Sequence, residues 1–246
     1  MRKVKVHKML SFTGIILVSV YVLASLFAFT KKNTGVTCDD VEIILLDKNK
    51  IELIDVIDVE KFLVSQDLYP LGKKLSEIQT ESIENTLHRN EMIKSAECYA
   101  TPSGKVYIKI GQRIPKFRVI GRSNYYIDTE RKKIKTSTDY TAYLPIVSGY
   151  VSEEMAMGDL FDFICFLEKN SFWDAQIEQI YVRPDKKVEL VPRVGDSIIL
   201  LGTLDNYEAK LEKLKKLYTK AFNVIGWNHY KMIDLQYNGQ IVCTKN

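Results

Sequence analysis

The chain has 246 residues, of which 46% are hydrophobic and 11% aromatic, so it can build a folded core and does not have the composition of a disordered protein. Its formal net charge of +4 is unevenly distributed, because the first 38 residues carry six basic residues and no acidic one. The remainder carries 29 basic and 31 acidic residues, so its charge does not indicate a nucleic-acid-binding surface.

An uncharged apolar stretch runs from Leu10 to Phe29. In a helix it would span roughly 30 Å, the thickness of the hydrocarbon core of a bilayer. The residues before it include four positive charges, Arg2, Lys3, Lys5 and Lys8. Because the more basic flank of a membrane span stays in the cytoplasm, the sequence predicts a cytoplasmic tail at 1–9, a transmembrane helix at 10–30, and an extracytoplasmic remainder.

The alternative to an anchor is a cleaved signal peptide. Such a peptide has a shorter apolar region, of about 7–15 residues, followed by a cleavage site with small residues. Cleavage after Ala28 would place Leu26 where a small residue is needed. The length and the missing small residue both favour an uncleaved anchor.

Residues able to perform catalysis or bind metals are few and scattered. Four cysteines stand 60 or more residues apart, at Cys38, Cys98, Cys165 and Cys243. None has the spacing of a metal site, and the sequence does not choose partners for a disulfide. There are three histidines, and His7 falls in the predicted tail. We therefore predict no catalytic, cofactor-binding or metal site and a non-enzymatic protein.

The first half of the remainder has the pattern of a small α+β domain. After a polar linker at 31–40, the predicted elements are a strand at 41–46, a helix capped by Asp58, a helix starting at a Thr80 cap, and strands at 97–100 and 105–110. Two helices can cover one face of such a sheet. The sequence thus predicts a β-α-α-β-β domain at 41–112.

A larger mixed β domain follows at 113–246. Pro115 lacks an amide donor and marks a strand edge or a kink at its start. Predicted strands lie at 117–120, 125–128, 133–136, 144–147, 177–182, 188–191 and 197–201, with one helix around Leu160 to Leu167. A helix is predicted at 205–225, with Asp205 and Glu208 as a capping box and Gly226 after its end. Its apolar stripe favours a core-packing helix over a coiled coil.

The chain closes with two strand-like segments, 232–237 and 240–244. Between them stands Asn238-Gly239, a dipeptide typical of a two-residue hairpin turn.

Several segments, taken in order, resemble the bacterial FtsQ/DivIB cell-division family. They are KVYIKIGQRIP (105–115), RVIGRSNYYID (118–128), LPIVSG (144–149), FWDAQIEQIYV (172–182), ELVPRVGDSIILLG (189–202) and GWNHYKMIDLQYNGQIVCTK (226–245). The last two are most similar to the version found in Bacteroidetes. Two positions depart from the family pattern: Gln112 stands where an acidic residue is frequent, and Gln236 where an arginine is.

The resemblance implies a single-pass protein of the cell inner membrane at the division septum, with a POTRA-like domain and a β domain. It also implies a non-catalytic divisome scaffold that binds FtsB and FtsL without a cofactor. By the resemblance, a segment of FtsB adds alongside the last strand, where Tyr237 is an aromatic anchor and Gly239 allows close backbone approach. Gln240, Ile241 and Val242 would then form the pairing ladder.

Two other functions remain open at this point. One is a membrane-anchored periplasmic enzyme acting on the cell wall, which needs two convergent carboxylates. The other is a POTRA-bearing component of polypeptide transport. POTRA domains of transport systems usually occur in tandem before a β-barrel, whereas the sequence holds one copy.

Overall fold

The computed structural model describes residues 16–25, 35–47, 53–136 and 144–246. Residues 16–25 form helix α1. Among the residues so described, none of the helices combines the length and the apolar character needed to cross a membrane. The predicted topology signal and both ends of the predicted anchor lie outside the described residues: Arg2, Lys3, Lys5, Lys8, Leu10 and Phe29.

The rest of the described chain forms two α+β units, as predicted. The first contains β1 (Asp40–Leu45), α2 (Val56–Ser65), α3 (Thr80–His88), β2 (Ile93–Ala100) and β3 (Lys105–Gln112). Its sheet has the order β1-β3-β2, with β1 parallel and β2 antiparallel to the central β3. The β-α-α-β-β order predicted from the sequence is therefore confirmed.

The core of this first unit lies between β3 and the two helices. Alternate β3 residues Val106, Ile108 and Ile110 are fully buried, because successive strand residues point to opposite faces. Leu63 from α2 and Leu87 from α3 pack in the same cluster. Each such side chain stabilises the fold by about 1.5–3 kcal/mol relative to an exposed one.

The helix caps in this unit differ from the prediction. Asp58 does not cap α2, since it already lies in the first turn and Asp55 takes the cap position. A side-chain oxygen of Asp55 accepts the Ile57 amide hydrogen at 3.2 Å. Thr80 is the first residue of α3 rather than its cap, which is Gln79 without a side-chain cap bond.

The second unit is built on a nine-stranded mixed sheet. Its strands are β4 (Pro115–Ile120), β5 (Tyr125–Asp128), β6 (Lys133–Lys135), β7 (Ile146–Gly149), β8 (Ile177–Val182), β9 (Val188–Pro192), β10 (Ile198–Gly202), β11 (Tyr230–Asp234) and β12 (Val242–Lys245). Their order is β12-β11-β10-β9-β8-β7-β4-β5-β6. The strands predicted between 117 and 201 are confirmed within two residues at each end, and Pro115 opens β4, where no ladder bond from its nitrogen is needed.

Helices pack against this sheet around one hydrophobic core. They are α4 (Glu153–Met157), α5 (Asp159–Lys169), α6 (Ser171–Gln176), α7 (Tyr207–Leu217) and a π-helical turn (Tyr218–Phe222). A last short helix, α8 (Asn223–Ile225), follows this turn with Val224 and Ile225 exposed. The apolar stripe of α5 and that of α7 are buried, as predicted. Helices α4 and α6 are too short for their periodicity to be visible in the sequence.

The helix predicted at 205–225 is interrupted by the π-helical turn. The apolar stripe predicted for this helix continues from Tyr218 through Ala221 and Ile225. A π-helical turn contains one residue more than an α-helical turn, so the buried position after Tyr218 is Phe222 instead of Ala221, and Ile225 is exposed. The predicted capping box is wrong, because the cap residue is Asn206 in a left-handed conformation, with no side-chain cap bond. Gly226 ends the helical segment at φ 84°, as predicted.

Large aromatic side chains cluster where the π-helical turn meets α6 and β11. The Tyr218 ring lies 6.1 Å from that of Trp173 and 5.1 Å from that of Trp227. Phe222 contacts Trp227 edge-on at 5.3 Å. Trp173 and Trp227 therefore contribute to the packing of the second unit.

The two units are joined through a short, well-bonded junction. A terminal nitrogen of the Arg113 guanidinium lies 2.8 Å from Asp128, and the Asp128 side chain is 2% exposed. The second Asp128 oxygen accepts the amide hydrogens of Glu130 and Lys132. Lys94 adds an ion pair to Glu130 at 2.6 Å. These contacts tie β2 of the first unit to the β5–β6 turn of the second.

Gln112, which departs from the family pattern, also lies at this junction. Its side-chain oxygen accepts hydrogen bonds from the amides of Leu53 and Ile54, at 2.9 and 3.1 Å. A carboxylate could accept the same two bonds, so the fold does not depend on a charge at this position.

Candidate partner-binding edge

Strand β12 forms one edge of the nine-stranded sheet. It pairs antiparallel with β11, so that Ile233 lies opposite Cys243 and Asp234 opposite Val242. Within the described part of the chain, its other side has no neighbouring strand. The outward-facing amides and carbonyls of such a strand are available to an added chain.

Three of the four β12 side chains are exposed, and the fourth faces the core. Cys243 packs against the core, and burial raises the pKa of its thiol. Val242 is 44% exposed, and Thr244 and Lys245 are exposed as well. A strand added to this edge would therefore meet both backbone bonding groups and an apolar side chain.

The connection between β11 and β12 is longer than the predicted two-residue turn. Seven residues, 235–241, separate the two strands. Leu235 leaves the ladder but stays fully buried, and its amide donates to the Leu200 carbonyl at 2.9 Å. The chain must emerge from the core before it can turn, which explains why Asn238-Gly239 lies within a loop rather than forming the whole hairpin connection.

The predicted site residues are therefore divided between this loop and the strand. Tyr237, Gly239, Gln240 and Ile241 lie in the loop, and Val242 opens β12, which pairs with β11 from Val242 to Lys245. The pairing of residues 240–242 with a partner stays a prediction. Tyr237 is 51% exposed next to the edge. Gly239 has φ 77°, a conformation that L side chains rarely adopt. The backbone of the turn therefore accounts for a glycine at this position.

Two groups that the sequence analysis did not single out hold this edge in place. The Lys213 ammonium of α7 donates to the carbonyls of Tyr237 and Gln240, at 3.0 and 3.4 Å. The side chain of Asn246 donates to the Asn228 carbonyl at 2.6 Å. The first contact joins positions 24 and 27 residues apart, and no local sequence pattern marks such a contact.

The opposite edge of the sheet, β6, is shielded by ion pairs. Lys133 lies 2.5 Å from Glu153, and Lys135 lies 3.1 Å from Glu91 of the first unit. Lysines and their partners on an edge oppose the addition of another strand. Strand β12 is therefore the better-exposed of the two edges of this sheet.

Comparison with known proteins agrees with this architecture. Residues 114–244 match the family model described as "FtsQ/DivIB, C-terminal related", and residues 36–111 match that of the "POTRA-like domain". No curated protein matches the chain. The first model covers more than half of the chain, and the family acts in cell division and is generally non-enzymatic. The chain therefore belongs to the FtsQ/DivIB family of cell-division proteins.

Proposed function

We propose that this chain is a non-catalytic membrane scaffold of the bacterial divisome that links early and late division proteins during septal cell-wall synthesis. The proposed partners are FtsB and FtsL, as the family resemblance implies. The observation that carries the proposal is the open β12 edge, held by Lys213 and flanked by the exposed Tyr237.

Strand addition gives such a scaffold both affinity and selectivity. An extended partner segment satisfies the outward backbone groups of β12, and its alternate side chains meet Val242 and Thr244. Tyr237 supplies a large, rigid contact at small cost in conformational entropy, as aromatic residues at interfaces do.

Membrane placement is the second part of the proposal. The apolar stretch from Leu10 to Phe29 anchors the chain, and the basic residues before it keep the N-terminus in the cytoplasm. Both folded units then lie outside the cytoplasm, and the POTRA-like unit is the one next to the anchor in the chain.

The edge is tested by proline substitution at two successive positions of β12. Successive amide N–H groups of a strand point to opposite sides. Of the Cys243 and Thr244 amides, one therefore faces β11 and the other faces the added strand. The proline variant at the outward amide should keep the thermal midpoint and lose FtsB binding, while the other should lose the β11–β12 pairing itself. Binding is measured by calorimetry with the purified periplasmic domain of FtsB.

The role of Tyr237 is tested by an alanine substitution, with a substitution of a second exposed tyrosine as the control. Tyr237→Ala should weaken binding by about 2 kcal/mol if the ring is an anchor, whereas Tyr99→Ala on the first unit should not change it. If both proline variants fold and bind FtsB as tightly as the unmodified chain, the docking site lies elsewhere.

A further inference from the structure

A crevice opens at the carboxyl ends of two parallel strands, far in the sheet order from β12. Strands β4 and β7 run side by side, and the loops that follow them diverge after Ile120 and Gly149. The crevice has a volume of about 460 Å³, and the residues that line it include Gly121, Arg122, Tyr125, Gly149, Tyr150 and Val151. This volume falls in the range of small-ligand sites.

The first observation pointing to a ligand is the hydroxyl of Tyr125. The residue is 3% exposed and lines the crevice, yet among the described residues its hydroxyl has no hydrogen-bond partner. A buried hydroxyl without a hydrogen-bond partner is unfavourable, so a ligand that accepts from it gains affinity. Burial and the charge of Glu153 raise the pKa of Tyr125, so the hydroxyl stays protonated and can donate.

The second observation is the charge at the rim. Arg122 forms no ion pair with any residue in the described ranges, and its guanidinium lies 6.0 Å from the centre of the Tyr150 ring. Tyr150 is 53% exposed. Lys133, whose ammonium lies 4.9 Å above the Tyr125 ring, is already paired with Glu153. Of the cations at this crevice, Arg122 is thus the one without an ion pair in the part of the chain that the structure describes.

We propose that this crevice binds a free carboxylate carried on a small apolar body, such as the C-terminal end of a peptide. The guanidinium of Arg122 receives the carboxylate in the bidentate geometry typical of arginine. The Tyr125 hydroxyl, unpaired within the described ranges, donates a further hydrogen bond to the carboxylate. Val151 and the Tyr150 ring contact the apolar part of the ligand.

The proposal is tested on the full chain in detergent, labelled with ¹⁵N-glycine. Gly121 and Gly149 report from the crevice, and Gly72 of the first unit is the internal control. N-acetylvaline and an apolar hexapeptide with a free C-terminus should shift the crevice signals, while the same two molecules as amides should not. A hexapeptide that binds about tenfold more tightly identifies a protein tail as the source, and equal affinity identifies a small acid.

Variants separate binding from folding. Arg122→Gln should weaken binding at least about tenfold, while Arg89→Gln, an exposed arginine of the first unit, should leave it unchanged. Tyr125→Phe should weaken binding without lowering the thermal midpoint, because the lost hydroxyl has no partner among the residues that the structure describes. Equal shifts from acid and amide, no shift at all, or full binding by Arg122→Gln would overturn the assignment.

Discussion

At the scale of single residues, Asp128 shows how a buried charge is used at the junction of the two units. Its carboxylate accepts from the Arg113 guanidinium and from two backbone amides, so each oxygen has a partner. A buried ion pair adds little stability relative to apolar packing, but removing one member leaves the other uncompensated. The Asp128 carboxylate therefore fixes the position of the β5–β6 turn relative to the first unit.

We expect Asp128→Ala to lower the free energy of unfolding by about 3 kcal/mol, because it removes the acceptor of two amide donors and leaves the mostly buried Arg113 guanidinium with the more exposed Glu130, at 3.3 Å. The matched control is Lys74→Ala, which breaks a solvent-exposed pair with Glu77 and should change stability by less than about 1 kcal/mol. Urea unfolding of a fragment covering residues 35–246 measures both. Equal effects of the two variants would show that the junction pair contributes no more than a surface pair.

Burial also sets the titration of Cys98. Desolvation in the core of the first unit raises the pKa of its thiol to about 12. An unfolded thiol has a pKa near 8.5. Because the folded pKa is the higher one, the neutral thiol contributes stability that is fully present below about pH 8.5 and is lost as pH rises toward 12.

Unfolding midpoints should therefore fall more steeply between pH 8.5 and 11 for the unmodified chain than for Cys98→Val, measured under reducing conditions. Lysine and tyrosine titration affects both proteins alike, so the difference between them isolates the thiol. Parallel pH profiles would contradict the assigned shift.

At the scale of elements, α2 offers two aspartates that the sequence cannot rank. Asp55 and Asp58 both precede apolar helical positions, and only the backbone geometry shows that Asp55 is the cap. Asp55→Ala should lower the free energy of unfolding by about 1 kcal/mol, whereas Asp58→Ala should change it by only a few tenths. Thermal or urea unfolding of the two alanine variants decides this, and a larger effect of Asp58→Ala would contradict the capping geometry.

The elements that could be predicted are those whose periodicity is long or whose turns are local. The stripes of α5 and α7 and the strands between 117 and 201 have such patterns. The π-helical turn could not be predicted from the spacing of apolar residues. Ala221 and Phe222 are both apolar, so the stripe after Tyr218 fits either an α-helical or a π-helical turn. The site could be predicted only in outline, since the contact of Lys213 with the 235–241 loop joins positions that tertiary packing alone brings together.

At the scale of the whole molecule, the first residues of the chain predict its orientation in the membrane. A reporter that works only outside the cytoplasm should be active when fused after Asn246, because the more basic flank of the apolar stretch stays inside. A membrane-bound protein of full mass agrees with an uncleaved anchor. Release of a soluble domain with a new N-terminus near Thr30 would instead show cleavage.

The POTRA-like unit is expected to carry a recruitment role of its own. Its three-stranded sheet has two edges, β1 and β2, without a further strand neighbour among the described residues. A chain lacking 38–110 should fail to reach midcell even when the second unit is folded. Fluorescence microscopy of tagged chains tests this, and normal septal localisation of the deletion would remove the expectation.

The placement of both tryptophans in one aromatic cluster makes the second unit optically distinct. The chain has two tryptophans, and both contact Tyr218 in that cluster. Indole emission therefore reports melting of the second unit alone, while far-ultraviolet dichroism reports both units. If the two signals change at different urea concentrations, the chain unfolds through a state with one unit intact, and their separation measures how strongly the junction couples the two units. Tryptophan fluorescence and far-ultraviolet circular dichroism together thus measure how cooperatively the two units unfold, without an added label.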